Sequence, residues 1–278
     1  MAYSYKPATT EKKMTFSLEL QTPKFQNLIN RTLTDKNDSK KFVAEIMTTV
    51  AQNPDLQRCD NLSILAAGLL AQSMNLPLSP SLGFAYIIPF NDYKSGKTNA
   101  TFQIGYKGLV QLCLRTGKYE RIGMREVHEG EFIGLDEFGE PICKFSVDKE
   151  DKPIIGYFAY LKLTDGLKKT LYWSKAKCAT HGNTYGKNSP LWKNNFDFMA
   201  KKTVLKQLVK TYGYMSTDIA RAIAADQAVV NEDNTVTYVE TDEQNTVPLP
   251  AINGEVAIDS NGEVAEAKPE IDEEKELF

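Results

Sequence analysis

The sequence has few cysteines and lacks any long apolar run. Its 278 residues include four cysteines, and thiols without a secretory context indicate reduced side chains in a cytosol. No stretch approaches the roughly 20 apolar residues of a membrane span. The segment from Met1 to Phe16 has neither the apolar core nor the cleavage pattern of a signal peptide. We therefore expect a cytoplasmic protein with no membrane partner.

The sequence also lacks a complete motif for nucleotide, metal or nucleophilic chemistry. Residues 95–98 read SGKT, like the end of a phosphate-binding loop, but that loop needs a second glycine where Asn91 stands. Cys178 and His181 have a C-x-x-H spacing without the second pair that a zinc site requires. No serine or cysteine nucleophile lies in a recognisable local motif. We predict no cofactor, no metal and no catalytic residue.

An acidic cluster between residues 126 and 140 leaves two interpretations open. Its carboxylates are either ligands of a two-metal nuclease site or a solvated face of strands and turns. The second is favoured because nuclease carboxylates usually converge from separate elements. The members are Glu126, Glu129, Glu131, Asp136, Glu137 and Glu140.

Charge is segregated along the chain, although the overall net charge is only −3. Residues 1–225 contain 31 Lys and Arg against 21 Asp and Glu, whereas residues 226–278 contain 2 against 15. A basic body attracts polyanions. The acidic end has too few apolar residues to offset its chain entropy, which predicts disorder. We predict a flexible or subunit-contacting arm (1–20), a folded basic domain (21–225) and a disordered acidic tail (226–278).

Local patterns predict an α+β fold with helices packed on an antiparallel sheet. Helix signals begin at Thr22, at Asp38 or Ser39, and at Asn61. Residues 84–104 then alternate like a β-hairpin with a basic tip, which carries Lys94 and Lys97. A helix over 106–116, three or more strands between 119 and 173, and helices over 194–212 and 217–225 follow.

The run from Ser189 to Leu208 points to nucleic acid. Phe196 and three residues at four-residue steps place an apolar face on a helix, although the phase of Phe196 also suits the core. Lys202, Lys206 and Lys210 lie on the other side, which predicts a stripe that faces away from the core and tracks phosphates. The preceding loop supplies cations, amides and an aromatic ring, the chemistry of single-strand binding. The alternative is a solvated lysine face with Trp192 capping the core.

The predicted helix at 106–116 repeats this pattern. Lys107, Gln111 and Arg115 share one side, and cations continue at Lys118 and Arg121. If the following strand is regular, Arg121 and Arg125 share a face. Two glycines, Gly105 and Gly108, allow a nucleic-acid strand to approach or, alternatively, allow tight packing within the protein.

Three blocks of sequence resemble the RecT family of single-strand annealing proteins from phages and prophages. They are residues 75–90 (NLPLSPSLGFAYIIPF), 103–118 (QIGYKGLVQLCLRTGK) and the run from 189 already described. The resemblance implies binding of single-stranded DNA, annealing without nucleotide hydrolysis, and assembly into rings or helical filaments. It also implies a partner exonuclease, and the acidic end of the tail resembles the tip of bacterial single-strand binding proteins.

The sequence therefore predicts a recombination protein that grips phosphates in a basic groove and leaves the bases free to pair. Its expected partners are single-stranded DNA, the annealed duplex, copies of itself, an exonuclease and host single-strand binding protein. Two other functions remain open, a DNA-acting enzyme and a structural assembly protein with a basic face. The predicted DNA contacts are Lys94, Lys97, Lys107, Gln111, Arg115, Lys118, Arg121, Lys187, Asn188, Trp192, Lys193, Phe196, Lys201, Lys202, Lys206 and Lys210.

Overall fold

The computed structural model describes residues 14–92, 96–185, 190–230, 235–238 and 246–248. These residues form helices and antiparallel sheets, which confirms the predicted α+β class. No helix in the described ranges is long and apolar enough to cross a membrane. Lys94, Lys187, Asn188 and most of the predicted acidic tail lie outside the described residues.

The first part of the fold consists of helices. They are α1 (Phe16–Glu19), α2 (Pro23–Thr32), α3 (Lys36–Gln52) and α4 (Asn61–Ser73). The predicted starts of α2 and α4 are confirmed, but α3 begins before Asp38, because the Asp35 carboxylate accepts the backbone N–H of Asn37 at 2.6 Å. Phe16 and Leu20 are buried in the core, so the end of the predicted flexible arm belongs to the folded domain.

A five-stranded antiparallel sheet follows the helices. Its strands are β1 (Ala85–Asp92), β2 (Lys97–Ile104), β8 (Ala228–Val230), β9 (Thr235–Tyr238) and β10 (Thr246–Pro248), in the order β1-β2-β8-β9-β10. The boundary predicted near Ala225 is therefore wrong. Asp226 is buried, and Ala228 pairs with Phe102 in the register of the sheet. The chain returns to the sheet after its last long helix, and that return has no signal in the local sequence.

A second, three-stranded antiparallel sheet has the order β3-β6-β7. Its strands are β3 (Tyr119–His128), β6 (Ile154–Leu163) and β7 (Lys168–Ser174), and a separate hairpin of β4 (Phe132–Leu135) and β5 (Pro141–Cys143) is inserted after β3. Because β3 pairs only with β6 within the described chain, its other edge is open.

The remaining helices connect and cover the two sheets. They are α5 (Tyr106–Arg115), α6 (Lys175–Tyr185), α7 (Pro190–Asn194), α8 (Phe196–Tyr212) and α9 (Thr217–Ala224). Helix α8 packs on β6, β3 and β7 and is buried on more than one side. Gly105 and Gly108 face the backbone of Gly83 and Phe84, where an added Cβ would lie 2.1 Å from a carbonyl oxygen. Tight packing inside the protein therefore accounts for both glycines.

Candidate nucleic-acid interface

An open groove of about 930 Å³ runs along the free edge of β3. Alternate residues of a strand point to opposite faces of the sheet. Because β3 is an edge strand, side chains from both of its faces line the groove. Ile122, Met124 and Glu126 line it on the side of α5 and α8. Gly123 and Arg125 line it on the other side, where Tyr160 of β6 lies over Gly123.

Four aromatic side chains line this groove. The rings of Tyr106 and Phe198 meet edge to face with centroids 5.3 Å apart, which joins α5 to the first turns of α8. Phe145 and Tyr160 line the opposite wall, and Tyr160 is 37% exposed. A nucleic-acid base can stack on such rings whatever its identity, because every base has a π face.

The groove lining contains both basic and acidic side chains. The Arg125 guanidinium lies 3.9 Å from the centre of the Phe145 ring. The Lys201 ammonium lies 2.7 Å from a Glu126 oxygen, and both side chains are partly exposed. Glu150 adds a further negative charge at the wall. The net charge of the groove lining is therefore close to zero. The positive charge needed to bind phosphates comes from cations that flank the groove.

The flanking cations lie at the start of β3. Lys118 and Arg121 are exposed, and the Lys118 ammonium lies 5.9 Å from the centre of the Tyr214 ring. The ladder from Arg121 to Val127 is regular, with Arg121 opposite Lys162 and Arg125 opposite Phe158. Arg121 and Arg125 thus share a face, as the sequence predicts. At about 3.4 Å per residue, Arg121 and Arg125 lie roughly 14 Å apart along the strand.

Helix α5 flanks the other side of the groove. Lys107 is exposed and Gln111 is partly buried next to the groove-lining Tyr106 and Val110. Arg115 has a different role, because its guanidinium donates to the carbonyl oxygens of Met74 and Asn75, each at 2.8 Å. It ties α5 to the end of α4, which leaves less of its hydrogen-bonding capacity for a phosphate.

The lysine stripe predicted on α8 is wrong in its orientation. Lys202 is 3% exposed, and its ammonium lies 2.9 Å from Asp226. The Lys206 ammonium lies 2.6 Å from the other oxygen of the same carboxylate, which also accepts the backbone N–H of Ile104 at 3.2 Å. Lys210 alone of the three is exposed.

The electrostatics of this buried cluster follow from its geometry. Burial alone would raise the pKa of Asp226, but the charges of Lys202 and Lys206 outweigh it and hold that pKa below its ordinary value. Burial lowers the pKa of Lys202, although Asp226 opposes the shift. The cluster therefore joins α8 to the segment that enters β8, and Lys202 is a structural residue.

The two aromatic residues predicted to contact DNA, Trp192 and Phe196, point toward the protein interior. Trp192 is 8% exposed and covers Gly182, where an added Cβ would lie 2.6 Å from the indole ring. Phe196 is partly buried between Trp192 and Tyr157, with ring centroids 5.7 and 6.2 Å away. This agrees with the part of the alternative in which Trp192 caps the core, whereas the solvated lysine face of that alternative is contradicted by the buried Lys202. Lys193 is exposed on α7 and Lys97 is exposed at the β1–β2 hairpin.

The described residues contain no cluster of three or more His, Cys, Asp or Glu side chains placed to hold a metal. Cys178 is buried, which raises its pKa to about 12. Burial, aided by the charge of Lys206, lowers the pKa of His181, whose ring lies 5.5 Å from that of Trp173. His181 is thus part of an aromatic cluster, and Cys178 is a buried thiol.

Sequence reasoning missed most of the groove lining, namely Tyr106, Phe145, Tyr160, Phe198 and the role of Lys201 as the partner of Glu126. Among the lining residues, only Arg125 could be anticipated from the sequence, because an even separation from Arg121 places both on one face of a regular strand. The others come together through strand register and the packing of α5 on α8, which no local pattern encodes.

Comparison with known proteins assigns the sequence to a family. The sequence model of the RecT family matches residues 40–243. The chain is 37% identical over 195 residues to protein YqaK of Bacillus subtilis (strain 168), covering 70% of this chain and 64% of that one. It is 30% identical over 195 residues to Protein RecT of Escherichia coli (strain K12), covering 68% and 71%. The chain thus spans less than two thirds of the Bacillus relative, and it belongs to the RecT family.

Proposed function

We propose that this protein binds single-stranded DNA along the open edge of β3 and anneals complementary strands in homologous recombination without hydrolysing a nucleotide. The observation that carries the proposal is the groove with its aromatic lining, together with the cations that flank it along one face of β3. Membership of the RecT family supports the same activity.

Binding uses the two faces of β3 differently. Lys118, Arg121 and Arg125 neutralise phosphates along the outer face, and Lys107 does so from α5. Tyr160, the most exposed ring of the groove lining, supplies a surface for a base. None of these contacts reads a base edge, so affinity depends little on sequence and strongly on salt.

Annealing follows from binding in an open groove. The groove is open to solvent, so a strand held by its phosphates, with a base stacked on Tyr160, keeps the pairing edges of its bases accessible. Neutralised phosphates repel a second strand less, which lets complementary bases meet at the protein surface. Pairing then supplies the specificity, and the protein holds the duplex product by the same contacts.

Further contacts come from outside the groove. Lys193 and Lys210, both exposed, and Lys97 at the β1–β2 hairpin extend the binding surface. Copies side by side on one strand gain affinity by multivalency, and an exonuclease supplies the single strand. The acidic residues after Pro248 lower non-specific DNA affinity by charge repulsion and contact partner proteins.

Titration with a labelled oligonucleotide at two salt concentrations tests the binding step, and addition of the complementary strand tests annealing. We expect tight, salt-sensitive binding, followed by duplex formation in chelator and without ATP. A non-complementary strand is the control. A requirement for magnesium or ATP, or the appearance of cleaved DNA, would make the protein an enzyme and contradict the proposal.

A further inference from the structure

The β4–β5 hairpin (residues 132–143) holds large apolar side chains in solvent. Phe138 in its turn is 83% exposed, and Ile133 and Leu135 of β4 are 61% and 62% exposed. Ile142 of β5 and the nearby Val147 are exposed as well. Single exposed apolar residues are ordinary, but a group of this size on one element marks an interaction site.

The hairpin is held rigidly against the three-stranded sheet. Phe132 stacks on Tyr172 with ring centroids 4.5 Å apart. The Glu140 carboxylate accepts from the Thr170 hydroxyl at 2.8 Å and from the Lys169 ammonium at 2.7 Å. The apolar side chains are therefore presented in a fixed arrangement, and a partner that binds them pays little ordering entropy.

Buried hydrogen bonds fix the base of the hairpin in the same way. Glu131 is fully buried and accepts the backbone N–H of His128 at 2.7 Å and that of Ser146 at 3.1 Å. Burial alone would raise the pKa of Glu131, but these hydrogen bonds and nearby positive charge hold it below its ordinary value. The carboxylate therefore stays ionised and keeps its two donors at neutral pH.

The charge around the hairpin excludes DNA as its partner. Residues 129–151 contain eight Asp and Glu and two Lys, a net charge of −6. Phosphates are repelled by such a surface. Within residues 1–225, the rest of the body is correspondingly basic, so another copy of this chain offers the opposite charge.

The outward face of α3 has the complementary properties. The face of α3 that packs on the fold carries Phe42, Ile46 and Val50. The other face carries exposed Lys36 and Lys40 at its start and, further along, exposed Met47. Ala44 and Ala51 lie at helical spacing on either side of Met47 and are exposed, which makes a shallow apolar site. From Lys36 to Ala51 this face is about 22 Å long, enough to accept the hairpin.

We infer that the β4–β5 hairpin of one copy docks on the outward face of α3 of a second copy. Its apolar side chains cover Met47 and the two alanines, and the exposed Glu137 lies toward Lys36 and Lys40. Because the two surfaces differ, the contact is head to tail and propagates into a ring or an open helix. The hairpin strands do not line the β3 groove, so the inference does not depend on what that groove binds.

Sedimentation velocity of the full chain without DNA tests the docking. Phe138→Ser should weaken self-association roughly tenfold or more, because it removes the most exposed apolar side chain of the contact. Leu167→Ser, which alters an exposed apolar residue in the β6–β7 turn, should leave self-association unchanged. Binding of dilute Phe138→Ser protein to a short oligonucleotide should also stay unchanged, which separates this result from a failure of the DNA groove.

A charge exchange tests the identity of the occupant. Glu137→Lys alone and Lys36→Glu with Lys40→Glu should each weaken self-association, and the three changes together should recover part of it. If the combination associates no better than Glu137→Lys alone, α3 is not the acceptor and the inference is wrong. A wild-type chain that stays single at all concentrations, or a Phe138→Ser chain that associates normally, would also overturn it.

Discussion

Helix α8 and the edge of β3 both carry regularly spaced cations, yet they use them in opposite ways. Lys202 and Lys206 point to one buried carboxylate, Asp226. Arg121 and Lys118 reach solvent beside an open groove. Periodicity shows which residues share a face, but the position of the counter-charge decides whether that face is inside or outside.

The difference follows from the neighbours of each element. Helix α8 packs on the three-stranded sheet, and the segment that enters β8 brings Asp226 against it. A buried ammonium is tolerated only when it is paired. Among the described residues, strand β3 pairs with another strand on one edge only, and Arg121 near its start is exposed. We therefore assign a structural role to the α8 cluster and propose DNA binding for the β3 edge.

Asp226→Asn should give the largest effect and tests the structural half of this comparison. The change leaves two ammonium groups without their counter-charge, and breaking such a buried pair costs about 3–5 kcal/mol. Urea denaturation measures the loss. The control is Asp151→Asn, an exposed acid, which should change stability by less than about 0.5 kcal/mol. Equal stability of the two variants would mean that the cluster is not structural.

Low pH should remove the stabilisation that the Asp226 carboxylate gives to the folded state. The folded-state pKa of Asp226 is below its ordinary value of 3.8, so its stabilisation is complete above that value and is lost as pH falls through the folded pKa. The difference in unfolding free energy between wild type and Asp226→Asn should therefore shrink below about pH 4. A difference that stays constant from pH 6 to pH 2 would show that the Asp226 charge plays no part.

Tyr160→Ala tests base stacking on the β3 side of the comparison. Loss of a stacking ring typically weakens single-strand binding by about 1–3 kcal/mol. Tyr160→Phe keeps the ring and should bind almost as wild type. Tyr185→Ala, which removes an exposed ring that does not line the groove, should have no such effect. Fluorescence anisotropy with a short oligonucleotide distinguishes these outcomes.

Glu126→Gln should strengthen DNA binding slightly. The change removes a negative charge from the groove and releases Lys201 for a phosphate. A gain of about 0.5–1 kcal/mol, or roughly two- to fivefold in affinity, is expected for a partly exposed pair. Glu140→Gln is a matched control, because Glu140 also lies 2.7 Å from a lysine, Lys169, but outside the groove. Weaker binding by the Glu126 variant would argue against a phosphate at Lys201.

Local signals predict much of the fold and little of the groove. The Thr22-Pro23 cap, the start of α4 at Asn61 and the β1–β2 hairpin can all be located from a few adjacent residues. By contrast, the Lys202–Asp226 pair spans 24 residues and Lys201–Glu126 spans 75. Such contacts depend on how the sheets and helices pack together, and this packing cannot be predicted from local patterns in a single sequence.

The salt dependence of DNA binding tests the central claim, that single-stranded DNA follows the edge of β3. Arg121→Gln with Arg125→Gln removes two cations from one face of that strand. Because log K changes with log salt by roughly −0.7 per phosphate neutralised on a single strand, the slope should flatten by about 1.4. The double control Arg58→Gln with Lys175→Gln removes two exposed cations from other elements and should leave the slope nearly unchanged. Equal slopes for the two double variants would contradict the assignment of DNA to β3.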